Sequence, residues 1–221
     1  MIPGKVHSVI FDFDYTLGDS SPGIIESVNY ALSRLGLPQA SPEAIRRTIG
    51  LSLTETFKAL TGPEQAHLGD AFQDHFVVRA DEVMADSTKL FDFVPATVRT
   101  LSECGLKLGI VSSKYRRRIE GVLEREGLRE HFAVIVGAED VAAFKPDPAG
   151  LISAAEKLST SPANVLYVGD SLTDAETARR ASVPFVAVLS GVTERHEFAD
   201  HPVRHVLGSI GELPAILPRV L

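Results

Sequence analysis

Two carboxylates two residues apart, Asp12 and Asp14, close a short apolar run, Val9-Ile10-Phe11, of the kind that makes a buried strand. In extended backbone, residues i and i+2 point to the same side, so this spacing brings two negative charges together. Such a pair repels itself unless a cation or a shared proton stands between them. Taken alone, Asp-x-Asp also reads as a solvated strand end before a turn at Gly18-Asp19. Further polar residues recur where later apolar runs end. Ser112 follows Lys107–Val111, Lys145 lies in Phe144-Lys145-Pro146-Asp147-Pro148, and Asp170 and Asp174 lie in Gly169-Asp170-Ser171-Leu172-Thr173-Asp174. If those runs are parallel strands, the residues after them meet in one crevice, because open α/β sheets form sites beyond the carboxyl ends of their strands. A few carboxylate ligands, with the other positions left to water and substrate phosphate, suit Mg2+ better than an all-protein Ca2+ cage or a zinc site.

The elements needed to position these residues can be read from the pattern. Strands are expected at Val9–Phe11, Lys107–Val111, Ala133–Val136, Val165–Val168 and Phe185–Val188, with a weaker one near His205-Val206. Helices are expected between them at Pro95–Cys104, Arg116–Glu126, Ala149–Leu158 and Asp174–Ala181, with a short one at the end of the chain. Alternation of this kind favours a doubly wound parallel sheet, covered on both faces. The stretch from Gly18 to about Lys89 shows no convincing strand. Ser21-Pro22 and Ser41-Pro42 look like helix starts, the first helix running to Gly36 and the second through Ile49 to Gly50, and helical patterns follow at Leu53–Leu60 and Pro63–Met84. The expectation is therefore an α/β, Rossmann-like core made of residues 1–17 and 90–221, with a small all-helical domain inserted at 18–89.

With these residues in this order, the chain resembles the haloacid dehalogenase-like hydrolase superfamily, on its phosphatase side. The resemblance spans the whole chain and rests on Asp12-Phe-Asp14-Tyr-Thr16, Ser112, Lys145-Pro146 and Gly169-Asp170-x-x-x-Asp174. It implies that Asp12 is the nucleophile and Asp14 the general acid/base. Mg2+ would be held by Asp12, the backbone carbonyl of Asp14, Asp170 and Asp174, the last as a ligand or as the partner of one. Ser112 and Lys145 would hold the transferring phosphoryl group. The helical insert would be the family's cap, closing over the crevice about joints near Gly18–Ser21 and Ser87–Lys89. The implied reaction is hydrolysis of a small phosphorylated metabolite through an aspartyl-phosphate, as in phosphoglycolate phosphatase-like enzymes; a phosphomutase or pyrophosphatase of the same superfamily is the alternative. Outside enzymes, the alternative is a catalytically silent binding protein on the same fold. Dehalogenases of the superfamily lack an acid at the position of Asp14, which argues for phosphate chemistry. Tyr15 departs from the family, since most relatives have glycine there, so the loop after Asp14 is expected to lose a conformation that glycine allows. Tyr15, Lys114 and Arg47 are the candidates for substrate specificity.

Bland readings stand beside these. Lys145 reads also as a solvated loop lysine, Asp170 and Asp174 as a helix cap, and Arg116-Arg117-Arg118 as a solvated helix face. His196, His201 and His205 share no helical face and read as scattered surface residues. Composition narrows the class. The 221 residues, 44% apolar and 23% charged, suffice for a sizeable core. A net charge of −7 without a Lys/Arg run gives no support for a nucleic-acid or anionic-membrane partner. The single cysteine, Cys104, excludes an internal disulfide and fits a reducing compartment. No apolar run approaches membrane-spanning length and the N-terminus lacks an apolar signal core. The expectation is a cytoplasmic protein, monomer or homodimer, acting on a small phosphorylated metabolite.

Overall fold

A computed structural model describes residues 6–217 of the chain; the outermost residues of the expected core, 1–5 and 218–221, lie outside that range. In chain order the elements are β1 (Ser8–Phe11), β2 (Gly18–Asp19), α1 (Ser21–Arg34), α2 (Pro42–Arg46), α3 (Leu53–Thr61), α4 (Gly69–Ser87), β3 (Lys89–Leu90), α5 (Val94–Glu103), β4 (Lys107–Val111), α6 (Arg116–Arg125), β5 (Phe132–Val136), α7 (Ala149–Lys157), β6 (Val165–Gly169), α8 (Leu172–Ala181), β7 (Phe185–Val188), β8 (Val203–Leu207) and α9 (Leu213–Ile216). The chain divides into two compact units. One comprises the residues up to Gly18 and from Leu90 onward; the other is Asp19–Lys89.

The first unit is built on a six-stranded sheet of order β5-β4-β1-β6-β7-β8, parallel at every pairing. This is the doubly wound α/β arrangement expected from the sequence. Its inner strands are largely apolar because both faces are covered, whereas the edge strand β8 carries Arg204 and His205. Val9 and Phe11 of β1 and Leu166 and Val168 of β6 enter one core. Ile10, Val165 and Tyr167, one position out of phase, enter the other. From β1 the chain steps outward through β4 to β5, then returns to lay β6 against the other side of β1. The switch point of the sheet, where crevices open beyond the strand ends, thus lies between β1 and β6.

The second unit is helical, with its own core of Val28, Ala31, Leu32, Ile45, Phe57, Phe72, Phe76, Ala80 and Met84. Phe72, Phe76, Ala80 and Met84 recur every fourth residue and so line one face of α4, where Phe72 stacks on Phe57 at 4.7 Å between ring centroids.

The structure corrects several expectations of local detail. The region from Gly18 to Lys89 is not free of strand, because β2 and β3 form a separate two-stranded sheet. Helix α1 begins at Ser21 itself, with Ser20 preceding it and making no side-chain cap; the Asp19 carboxylate accepts from the Ser21 N–H instead, at 2.8 Å. Ser41 does cap α2, accepting from the Ala44 N–H, but that helix stops at Arg46, where Thr48 turns its hydroxyl back onto the Ile45 carbonyl at 2.7 Å. The pattern from Pro63 to Met84 splits into a 3-10 segment, Pro63–Leu68, and helix α4.

Candidate active site

The loops that leave the sheet at its switch point carry the polar cluster. The Asp12 N–H still donates to the Val168 carbonyl at 2.9 Å, so the first carboxylate is fixed to the end of β6 by backbone pairing. Asp170 follows β6 directly and Asp174 lies in the first turn of α8. Carboxylate oxygens of Asp12, Asp170 and Asp174 all lie within 4.8 Å of one another, and all three residues are buried. Lys145 reaches into this group. Its Nζ is 2.7 Å from Asp174 Oδ1, in a hydrogen bond, and 3.0 Å from Asp12 Oδ1, in an ion pair. The angles of that second contact do not make a hydrogen bond, so Asp12 Oδ1 is a buried oxygen without a hydrogen-bond partner.

Burial and charge set the protonation of the cluster. Burial raises Asp12 from 3.8 to about 6, helped by Asp174 and Asp14 and opposed by Lys145. Asp170 is pushed well above the usual carboxylate range, first by burial and then by Asp174 and Asp12. For Lys145 burial alone would lower the value, but the Asp12 and Asp174 carboxylates outweigh it and hold the ammonium charged. One lysine thus leaves negative charge in excess among three buried carboxylates.

Asp14, expected beside Asp12, has a different partner. Its Oδ1 accepts from Lys114 Nζ at 3.2 Å, and Lys114, buried over the Phe13 ring, is lowered from its ordinary value mainly by that burial. Each aspartate of the pair therefore has its own lysine. Ser112, at the end of β4, is buried, and its Oγ accepts from the Lys114 N–H at 3.3 Å. Arg47 belongs to the helical unit, where it is exposed just after α2.

Tyr15 does not lose the glycine-like conformation. It adopts it, with φ 60°, at a strain of about 1 kcal/mol or somewhat more for a residue with a Cβ. Its N–H donates to the Gly18 carbonyl at 2.7 Å, and the residue is buried.

Asp174 combines the capping and functional readings. Ser171 is the N-cap of α8, its Oγ accepting from the Asp174 N–H at 3.1 Å. In return Asp174 Oδ2 accepts from Ser171 N–H at 3.2 Å and Ser171 Oγ at 2.5 Å. Its Oδ1 accepts from Lys145 and, at 2.8 Å, from the Tyr167 hydroxyl. Four donors thus meet this carboxylate, Lys145 among them, and Asp174 also belongs to the group of three carboxylates that could hold a cation. Gly169 makes room for it, since a Cβ there would lie 2.5 Å from Asp174 Cγ. Tyr167 and Ser171 escaped the sequence reading. The signal for Tyr167 was a hydroxyl-bearing ring within the apolar run Val165-Leu166-Tyr167-Val168, because a buried tyrosine usually finds a partner for its O–H.

The donor set fits a hard divalent cation. Asp12, Asp170 and Asp174 offer carboxylate oxygen, Asp12 Oδ1 lacks a hydrogen bond, and the excess negative charge calls for a cation.

The parallel sheet thus presents acidic residues after β1 and β6, with Lys145 among them, at its switch point. Residues 9–188 match the family model described as haloacid dehalogenase-like hydrolase. The chain belongs to that family. It is 31% identical over 220 residues to the phosphoglycolate phosphatase of Yersinia pseudotuberculosis, covering 96% of this chain and 93% of that protein. It is 33% identical over 207 residues to that of Shigella boydii, covering 84% and 82%. Among solved structures, a haloacid dehalogenase-like hydrolase from Bacteroides fragilis superposes with a TM-score of 0.91 at 40% identity, covering 95% of this chain and all of that one.

Proposed function

We propose that the protein is a Mg2+-dependent phosphoric monoester hydrolase acting on a small phosphorylated metabolite of the phosphoglycolate type, through an aspartyl-phosphate on Asp12. The observation that carries this reading is the Asp12 carboxylate, buried at the switch point, paired with Lys145 and keeping one oxygen without a hydrogen bond. The names of the curated relatives support the phosphoglycolate type.

Asp12 attacks phosphorus through a carboxylate oxygen, which splits hydrolysis into two displacements. Lys145, fixed by Asp174, offsets charge on the phosphoryl oxygens, and the Ser112 hydroxyl donates to one of them. Asp14 protonates the departing alkoxide and then takes a proton from the water that attacks the aspartyl-phosphate. Its side chain is held for both tasks by Lys114. Asp12, the Asp14 carbonyl, Asp170 and Asp174, the last as a ligand or as the partner of one, would hold Mg2+, which when bound would stabilise the phosphoryl charge. Tyr15, Lys114 and Arg47 bear on which ester is accepted. The protein acts as a monomer or homodimer, without nucleic acid or membrane, and a cytoplasmic setting agrees with its one cysteine, Cys104. No helix among the described residues is long and apolar enough to cross a membrane.

The test is release of inorganic phosphate from phosphoglycolate and a panel of phosphorylated metabolites, with Mg2+ and with a chelator. Mg2+-dependent release, with phosphate trapped on Asp12 and seen by mass spectrometry, is the expected result. Absence of hydrolysis across the panel, or turnover without label on Asp12, overturns the reading.

A further inference from the structure

The segment after β7, Leu189-Ser190-Gly191, carries none of the motif residues, yet it touches the two loops that bear the acidic groups. Ser190 Oγ donates to the Tyr15 carbonyl at 2.6 Å. Tyr15 is the residue directly after Asp14, and it stands in the left-handed region at φ 60°. A strained backbone of this kind persists only where its surroundings hold it. Its own N–H is bound to the Gly18 carbonyl and its carbonyl to Ser190, so both polar ends of the residue are tied.

The next residue closes on the other acidic loop. A Cβ built on Gly191 would lie 1.9 Å from Asp170 Oδ2, 2.8 Å from its Cγ and 3.1 Å from its Cβ. The Asp170 side chain has little freedom to retreat, because the residue is 5% exposed and its Oδ1 accepts from Thr16 Oγ1 at 3.3 Å. Thr16 itself belongs to the loop after β1. The loops after β1, β6 and β7 are thus linked through two hydroxyls, Ser190 and Thr16, one carboxylate and one missing methyl group. Gly191 does not have a positive φ, so the requirement for glycine here is space alone.

We infer that Ser190 and Gly191 are positioning residues of the active site: Ser190 holds the Asp14 loop through the Tyr15 carbonyl, and Gly191, by lacking a Cβ, sets where the Asp170 carboxylate lies. The inference rests on the proposed roles of Asp14 and Asp170, but its central test does not need turnover. Mg2+ alone is titrated into the full-length protein by calorimetry. Gly191→Ala is expected to bind it about 10 to 100 times more weakly, the range for residues that orient a ligand from behind. Melting temperature is measured without metal in two backgrounds. Gly191→Ala should lower it in the wild type and lower it far less once Asp170→Ala has removed the two nearest atoms, Oδ2 and Cγ, that the new methyl group would meet, a non-additivity that marks direct contact. Unchanged Mg2+ affinity, or equal melting shifts in both backgrounds, overturns the role of Gly191. If Gly191→Ala does not fold, folding of the Asp170→Ala/Gly191→Ala chain supports the contact, and its failure to fold overturns it. For Ser190, Ser190→Ala should lower kcat about tenfold with KM little changed, and Ser190→Thr, which keeps the hydroxyl, should restore it. A Ser190→Thr variant as slow as Ser190→Ala overturns that half. A wild type that binds Mg2+ but hydrolyses no ester counts against the proposed function and leaves the Gly191 test standing.

Discussion

The two units bury different things. In the sheet unit Asp12, Asp14, Lys114, Lys145, Asp170 and Asp174 are all buried, and they lie together beyond the strand ends. In the helical unit the buried polar residues among those described are Ser20, Ser21, Ser27, Thr48, Thr56 and Thr88, none of them charged. Several of these hydroxyls close onto backbone carbonyls, as Ser27 does on Gly23 at 2.7 Å and Thr88 on Met84 at 2.8 Å. Taking a charge out of water costs several kcal/mol unless pairing offsets it. A unit serving only its own packing has no reason to bear that cost. Where buried charge is concentrated and still unbalanced, as around Asp12, chemistry accounts for it better than stability does.

The hardest test of that contrast is Asp12→Asn. The change is nearly isosteric and removes the nucleophilic charge, so kcat for phosphate esters should fall on the order of 10⁴-fold or more. The far-ultraviolet circular dichroism spectrum should stay as in the wild type. Retention of more than a small fraction of activity would falsify the covalent route and leave the buried charge in the sheet unit unexplained.

The helical unit should respond the other way. Phe72 is fully buried and stacked on Phe57, and Phe72→Ala should destabilise by about 3–5 kcal/mol through lost burial and the cavity left behind. Denaturant unfolding measures the loss. Mg2+ affinity, titrated well below the melting temperature, should be unchanged, and a parallel loss of metal binding would break the separation of roles.

These two outcomes differ in how far they could be seen in the sequence. The apolar run before Asp12, Ser112 after the run at 107–111 and the carboxylates after the run at 165–168 announced both the sheet and its polar edge. Strand periodicity and motif spacing are local, and a chain displays them without folding. The pairing of Lys114 with Asp14 bridges 100 positions, and that of Ser190 with the Tyr15 carbonyl bridges 175. No local pattern carries such contacts. Tyr167, an aromatic within a buried strand, looked like core and is core, with its hydroxyl turned onto Asp174. In the helical unit the composition was legible and the ends were not. α2 stops at Arg46 although Ile49 continues the apolar spacing, because the Thr48 hydroxyl and a positive φ of 99° at Gly50 turn the chain.

A smaller effect sharpens the picture of unbalanced charge. The folded protein holds Asp12 at about 6 against 3.8 for the ordinary carboxyl. Between these values the folded chain keeps a proton that the unfolded chain has released. Stability therefore falls as pH rises through this window, the reverse of a salt-bridged carboxylate, by up to about 3 kcal/mol. Asp12→Asn cannot titrate, so the stability of the metal-free wild type relative to that variant should decline from pH 4 to 6 and level off above. Saturating Mg2+ should raise the wild type above pH 6 and leave Asp12→Asn much less affected. A flat difference across the window would show that the carboxylate is not held protonated.

The smallest expected effect decides whether the helical unit is more than a packed body. Arg47 is exposed and follows α2, with its N–H on the Glu43 carbonyl at 3.2 Å. An exposed arginine of this kind contributes little to stability, and Arg47→Ala should change it by less than about 0.5 kcal/mol. If the residue serves only as a solvated face, nothing else changes and the contrast between the units is complete. We expect instead that it meets the anionic tail of the metabolite, where a charge-assisted contact of about 1 kcal/mol corresponds to roughly a fivefold rise in KM. Phosphoglycolate carries such a tail and p-nitrophenyl phosphate does not, so only the first should lose affinity, with kcat for both little altered. Equal losses on the two esters would place Arg47 in service of the shared chemistry. No change on either would return specificity to Tyr15 and Lys114, which belong to the sheet unit with the rest of the buried cluster.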